Sequence, residues 1–190
     1  MKSIAYHILD IVQNAIQADA TDIGIYISEY DNIGELRISI EDNGKGMTEQ
    51  DVKSASDPYF TSRKTRNVGM GLALLRQNAE WTGGSFQVDS KVGRGTNVQA
   101  IFIKDNIDCP TKGDISGIIH QLITSNPQLE FFFRYIKNEH SFQLDTREVK
   151  KVLDGAPLNH REISGFLKEM IEENLNDIQA GEDISYKHEI

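Results

Sequence analysis

Apolar positions recur at helical spacing at the start of the chain. Ile4, Ile8, Ile11 and Ala15, with Val12 and Ile16 beside them, form one stripe, and the pattern breaks near Asp19-Ala20-Thr21. Two alternating runs follow, Ile23-Gly24-Ile25-Tyr26-Ile27 and Leu36-Arg37-Ile38-Ser39-Ile40. Joined by Asp31-Asn32-Ile33-Gly34, they predict a β-hairpin. A glycine-bearing stretch, Asp42-Asn43-Gly44-Lys45-Gly46-Met47, leads to a short helix over 48–54, with Thr48 as N-cap and Asp51 three residues on. Residues 57–68, polar and basic around Pro58-Tyr59-Phe60, read as a mobile loop. Gly69-Met70-Gly71 opens a second long helix with apolar positions Leu72, Leu75, Ala79 and Trp81 and a stop at Gly83-Gly84. Strands are expected at 86–89 and 98–103, flanking the turn Gly93-Arg94-Gly95.

Pro110-Thr111-Lys112-Gly113 marks the best boundary, dividing the chain into 1–112 and a C-terminal extension, 113–190. The extension predicts a helix (114–125), two strands (130–137 and 141–146), a short helix (147–153) and a closing helix (160–180). Asn159 and Glu162 are placed as a capping box for the last helix. Its apolar side carries Ile163, Phe166, Leu167, Met170, Ile171 and Leu175, a stripe that needs burial on the core or on another subunit. Phe131, Phe132, Phe133 and Tyr135 are expected as core and sheet-face residues.

Composition narrows the class. In 190 residues, 38% are apolar and 26% charged, as in a globular protein. Acids outnumber bases 29 to 20, a net charge of −9. That argues against a broad nucleic-acid binder while leaving room for a local basic patch. One cysteine, Cys109, allows neither an internal disulfide nor a cysteine zinc site. With no leader peptide and no apolar run near the ~20 residues a bilayer needs, the expected setting is cytoplasmic and off the membrane.

Candidate chemistry begins on the first helix. His7, Asp10, Asn14 and Gln17 share one face, beside the apolar stripe. By itself this fits either a solvated face or a helix lining a polar site. Behind it come three glycine pairs: Asp42-x-Gly44-x-Gly46, Gly69-x-Gly71-Leu72 and Gly93-x-Gly95-Thr96. None matches the phosphate loop ending in Gly-Lys-Ser/Thr or the dinucleotide GxGxxG.

Taken in order, these motifs resemble the histidine-kinase-like, or GHKL, ATP-binding superfamily over residues 4–103. Leu9-Asp10-Ile11-Val12-Gln13-Asn14-Ala15 is similar to its N box, and Glu41-Asp42-Asn43-Gly44-Lys45-Gly46-Met47 to its first glycine box. Pro58-Tyr59-Phe60-Thr61-Ser62-Arg63-Lys64 is similar to the aromatic box and lid of histidine kinases. Gly69-Met70-Gly71-Leu72-Ala73 and Gly93-Arg94-Gly95-Thr96 resemble the remaining glycine boxes.

The resemblance implies a two-layer α/β sandwich with ATP between sheet and helices under the 57–68 lid. It implies that Asp42 accepts from the adenine amine, with Thr96 near Asp42 bridging to the base and Met47 packed on it. Gly44 and Gly46 would let the backbone pass close to the base, and Asn14 would supply an oxygen to Mg²⁺. Gly69 and Gly71, ahead of Leu72, would present N–H groups to the phosphates, and Arg63, Lys64 and Arg66 would add charge from the lid. Asp10, where hydrolases of the superfamily carry glutamate, is the candidate general base; His7 is expected as a supporting group. The chain opens at the N box, so the expectation is a domain without its own phosphoacceptor hairpin or sensor. Two functions follow: a kinase acting in trans or slow ATPase, or a non-catalytic switch in which ATP changes the surface shown to a protein partner. A homodimer is compatible with either.

Overall fold

Ser3 starts the first helix, α1 (Ile4–Gln17), by accepting from the Tyr6 N–H. Ile4, Ile8, Ile11, Val12 and Ala15 are all buried, so the apolar stripe is the core face. In chain order there follow β1 (Asp22–Tyr30), β2 (Glu35–Asp42), α2 (Glu49–Ser56), α3 (Gly71–Trp81), β3 (Ser85–Lys91) and β4 (Gly95–Ile103). Then come α4 (Ile115–Ser125), β5 (Glu130–Lys137), β6 (His140–Asp145), α5 (Thr146–Val152) and α6 (Arg161–Ala180). This computed structural model describes residues 3–56 and 71–181. The expected lid, with Arg63, Lys64, Arg66 and Gly69, lies outside the described residues.

Six strands form one mixed sheet in the order β3-β4-β2-β1-β5-β6. All neighbours are antiparallel except β1 and β5, which run parallel from Asp22 opposite Glu130 to Glu29 opposite Lys137. The strands of the C-terminal extension therefore continue the sheet begun by the first hairpin. One face is apolar: Ile23, Ile25 and Ile27 on β1, Ile38 and Ile40 on β2, Phe102 on β4, and Phe131, Phe133 and Tyr135 on β5 are buried against the helices. The other face is open, and there Tyr26 and Phe132 pair with ring centroids 5.6 Å apart. The architecture is thus the two-layer α/β sandwich expected from the sequence.

Charged groups also hold the layers together. Glu29 is 3% exposed. It accepts from Tyr135, from Gln179 of α6 (3.2 Å) and from Lys112 (3.0 Å), with Lys104 3.3 Å away. Burial pushes its carboxyl up, but these donors outweigh it and the pKa falls to about 2. At the other end of β1, Arg147 of α5 pairs with Asp22 at 3.1 Å.

Three local expectations need correction. Trp81 is 57% exposed, because it lies two residues past Ala79 and so points about 200° away from the Leu72–Leu75–Ala79 face. Phe166 is 67% exposed for a related reason: the buried stripe of α6 is Leu167, Ile171, Leu175 and Ile178, and Phe166 is one residue off it. The capping box does not form. The N-cap is His160, with no side-chain cap, which puts Asn159 one residue outside the helix.

Candidate functional site

The last turn of α1, the first glycine turn, the start of α3 and strand β4 enclose a cavity of about 520 Å³. Asn14 lines it from α1, Asp42, Gly46 and Met47 from the end of β2 and the glycine turn, Leu72 from α3, and Thr96 from β4. Among the described residues, members of four of the sequence motifs therefore meet at one hollow. A larger hollow, about 720 Å³ and bordered by Asn138 and Gly181, contains none of the motif residues.

Asp42 anchors the inner end. It ends β2, on the sheet face that carries the core, directly opposite Thr96 on β4. Its Oδ1 accepts from the Gly44 N–H at 2.8 Å. Burial raises the carboxyl pKa above the ordinary value, and the N–H groups of Gly44 and Thr96 pull it back only in part. A carboxylate offers about four acceptor positions. With these two backbone donors in place, it keeps capacity for a donor arriving from the cavity.

The glycines shape the walls by letting backbone meet backbone. Gly46 has φ +64°, and a Cβ there would run into the carbonyl of Lys91. Gly95 has φ +90°, and its Cβ would strike the carbonyl of Asp42. The first glycine turn thus lies directly on the β3–β4 turn, and the Gly93 N–H donates to the Lys45 carbonyl at 2.8 Å. On its other side, Lys45 N–H donates to the Ala18 carbonyl at 2.8 Å. A Cβ at Gly44 would come within 2.7 Å of that same oxygen.

The polar stripe of α1 divides. His7 is 1% exposed and its Nε2 lies 2.9 Å from Nδ2 of the buried Asn78 on α3. Asp10, half-buried, packs on the first residue of α3: a Cβ on Gly71 would sit 3.1 Å from the Asp10 Cβ. Asn14 and Gln17 line the cavity; among the described residues Asp10 does not. The stripe is therefore an α1–α3 interface at His7 and Asp10 and opens into the cavity at Asn14 and the exposed Gln17.

Sequence reasoning missed two supports of this site. Asn43 accepts from the N–H groups of Thr21 (2.8 Å) and Asp22 (3.0 Å), fastening the glycine turn to the start of β1. Its place between Asp42 and Gly44 was the available signal. Ser90 accepts from the Met47 N–H at 2.8 Å and lies 2.9 Å from the Thr96 hydroxyl. Nothing in the sequence marked it, because its partners lie on another turn and strand.

A two-layer sandwich with a half-buried carboxylate lining a cavity between α1, a glycine turn and α3 defines an ATPase domain of the histidine-kinase-like kind. Residues 2–106 match the family described as histidine kinase-, DNA gyrase B- and HSP90-like ATPase, and the chain belongs to that family. It is 34% identical over 89 residues to the sensor histidine kinase ZraS of Escherichia coli K12, covering 47% of this chain and 19% of that protein. To the sensor histidine kinase GraS of Staphylococcus epidermidis it is 37% identical over 86 residues, 43% of this chain and 25% of the relative. The chain thus corresponds to a quarter or less of these two relatives. Among solved structures, it resembles the Aquifex aeolicus MutL ATPase domain complexed with ADP. The TM-score is 0.51 at 14% identity, covering 89% of this chain and 88% of the other, a likeness of fold.

Proposed function

We propose that the domain binds Mg²⁺–ATP in the 520 Å³ cavity and transfers the γ-phosphoryl group, in trans to a protein acceptor or slowly to water. The observation that carries this is Asp42: a half-buried carboxylate, fixed by the Gly44 N–H and lining a cavity, suits the exocyclic amine of adenine. Met47 and Leu72 supply apolar walls for the base. Asn14 offers an amide oxygen, and among the described residues no cluster of three His, Cys, Asp or Glu stands ready for a metal. That donor set fits Mg²⁺, which takes one or two protein oxygens and completes its shell with phosphates and water. Gly71 opens α3 beside Asp10, so the phosphates would lie toward a helix N-terminus.

In the transfer, the bond from the γ-phosphorus to the ADP oxygen breaks and a bond to the acceptor forms. Asp10 would take the proton the acceptor gives up. Relatives named as sensor histidine kinases support a signalling role, and the single cysteine suits a reducing, cytoplasmic setting. We take 1–112 as the ATP-binding unit and 113–190 as its extension.

One observation favours a second reading, in which ATP is held without turnover and switches a partner-binding surface: among the described residues, Asp10 packs on Gly71 and does not line the cavity. Incubation with γ-labelled ATP, with and without cell extract, separates the two. Label on a protein or in free phosphate supports transfer. Binding with label left on ATP supports the switch, and no binding refutes both.

A further inference from the structure

Ser90 lies outside the cavity, yet its hydroxyl determines what one cavity residue offers to a ligand. A serine hydroxyl has one proton to give and two lone pairs to receive with. Ser90 gives its proton to the Gly95 carbonyl at 3.0 Å, and that oxygen can only accept. One lone pair takes the Met47 N–H at 2.8 Å. The remaining neighbour is the Thr96 hydroxyl at 2.9 Å, which can then bond only by donating to the second lone pair. The Thr96 proton is thereby turned away from the cavity, and Thr96 presents lone pairs to whatever binds beside Asp42.

We infer that Ser90 is a positioning residue for base selection: it holds the Thr96 hydroxyl as an acceptor, so that the site favours a 6-amino purine over a 6-oxo purine. This rests on the nucleotide reading of the cavity given above. Beside the Asp42 carboxylate, a Thr96 locked as acceptor makes the base-facing end acceptor-only. The amino group of adenine, with two protons, matches that set directly or through a water. The 6-oxo group of guanine meets lone pairs on both sides. Without Ser90 the Thr96 hydroxyl is free to rotate and donate to that oxygen. The Ser90 side chain therefore acts on discrimination more than on adenine affinity.

The test is calorimetry with ADP and GDP, neither of which is turned over. Ser90→Ala should keep ADP affinity within about threefold and lower the ADP-to-GDP preference by about tenfold, the scale of one hydrogen bond. Ser90→Thr, which retains the hydroxyl, should restore the preference. Thr96→Val should lower it as well, and adding Ser90→Ala to Thr96→Val should change it no further, as coupled residues require. Should Ser90→Ala fail to fold, that double comparison is replaced by Ser90→Thr against Thr96→Val, in which only the second should lose preference. An unchanged preference in Ser90→Ala, or equal losses for both nucleotides, would overturn the inference. Wild type binding neither nucleotide is a separate result: it would sink the nucleotide reading and this inference with it.

Discussion

Replacing Asp42 with asparagine exchanges one carboxylate oxygen for an NH₂ group, and the structure allows the effect to be worked out. The carboxylate serves two directions, the backbone N–H groups of Gly44 (2.8 Å) and Thr96 on one side and the cavity on the other. An amide has one oxygen. If that oxygen stays on Gly44, the introduced NH₂ faces the adenine amine, donor against donor. If the amide flips, the same conflict moves onto the Gly44 N–H. The loss is one hydrogen bond to a charged acceptor, about 1.5–3 kcal/mol, plus about 1–3 kcal/mol for a buried donor left without a partner. At about 1.4 kcal/mol per tenfold, affinity should drop by roughly 10²-fold to beyond 10³-fold. Folding should be spared, because the substitution also removes a charge whose burial raises its pKa. Calorimetry with ADP, paired with a thermal melt, is the assay. A folded variant with wild-type ADP affinity would refute the adenine assignment. The pH dependence has a definite sign. Since the folded pKa is raised, binding should weaken on acidification at a higher pH than for an ordinary carboxylate. The stability of the empty protein from this group runs the opposite way, rising as pH falls through the raised value.

Asn14→Ala should weaken binding of Mg²⁺–ATP more than binding of metal-free ATP. Equal Mg²⁺ enhancement in titrations of the variant and wild type would remove Asn14 from the metal. Asp10→Asn should leave ATP affinity within a few-fold and cut turnover by ~10²-fold if Asp10 is the base, measured as released or transferred label. Turnover equal to wild type would assign the role elsewhere. Glu29, with a folded pKa of about 2 against an ordinary 4.5, contributes about 3 kcal/mol to stability above the ordinary value. That contribution is lost as pH falls toward 2. Urea unfolding of Glu29→Gln between pH 7 and pH 3 should show a lower, flatter profile than wild type, and parallel profiles would contradict it.

Where periodicity governs, the chain was legible. Ile23, Ile25 and Ile27 alternate because β1 has one buried face, and Ile4, Ile8, Ile11 and Ala15 recur because α1 has one. The errors came from treating any nearby apolar residue as part of a stripe. Trp81 and Phe166 fail the angle that their neighbours set. The motif residues Asn14, Asp42, Gly46, Leu72 and Thr96 were legible as a group because, taken in order, their motifs resemble the boxes of a known family, and the fold brings them to one cavity. What lay hidden is non-local: Ser90 beneath Thr96, Asn78 beside His7, and the Glu29 cluster drawing Tyr135, Lys112 and Gln179 from distant segments. Polar residues of this kind look like surface residues until their partners arrive.

The parallel pairing of β1 with β5 bears on how the molecule is made. β2 reaches β1 through a short turn, so that side forms from neighbouring sequence. The other side waits for a strand more than half the chain away, made only after α4. Until then β1 is an edge, with unpaired backbone groups beside Ile23, Ile25 and Ile27, a template for sticking to other chains. Long-range closure of this kind also slows folding. A fragment cut after β4 to isolate the ATP-binding half would keep that edge bare permanently, and would strip Glu29 of Tyr135 and Gln179. The stretch from α4 to α6 thus covers an edge that the earlier strands leave bare, whatever else it does.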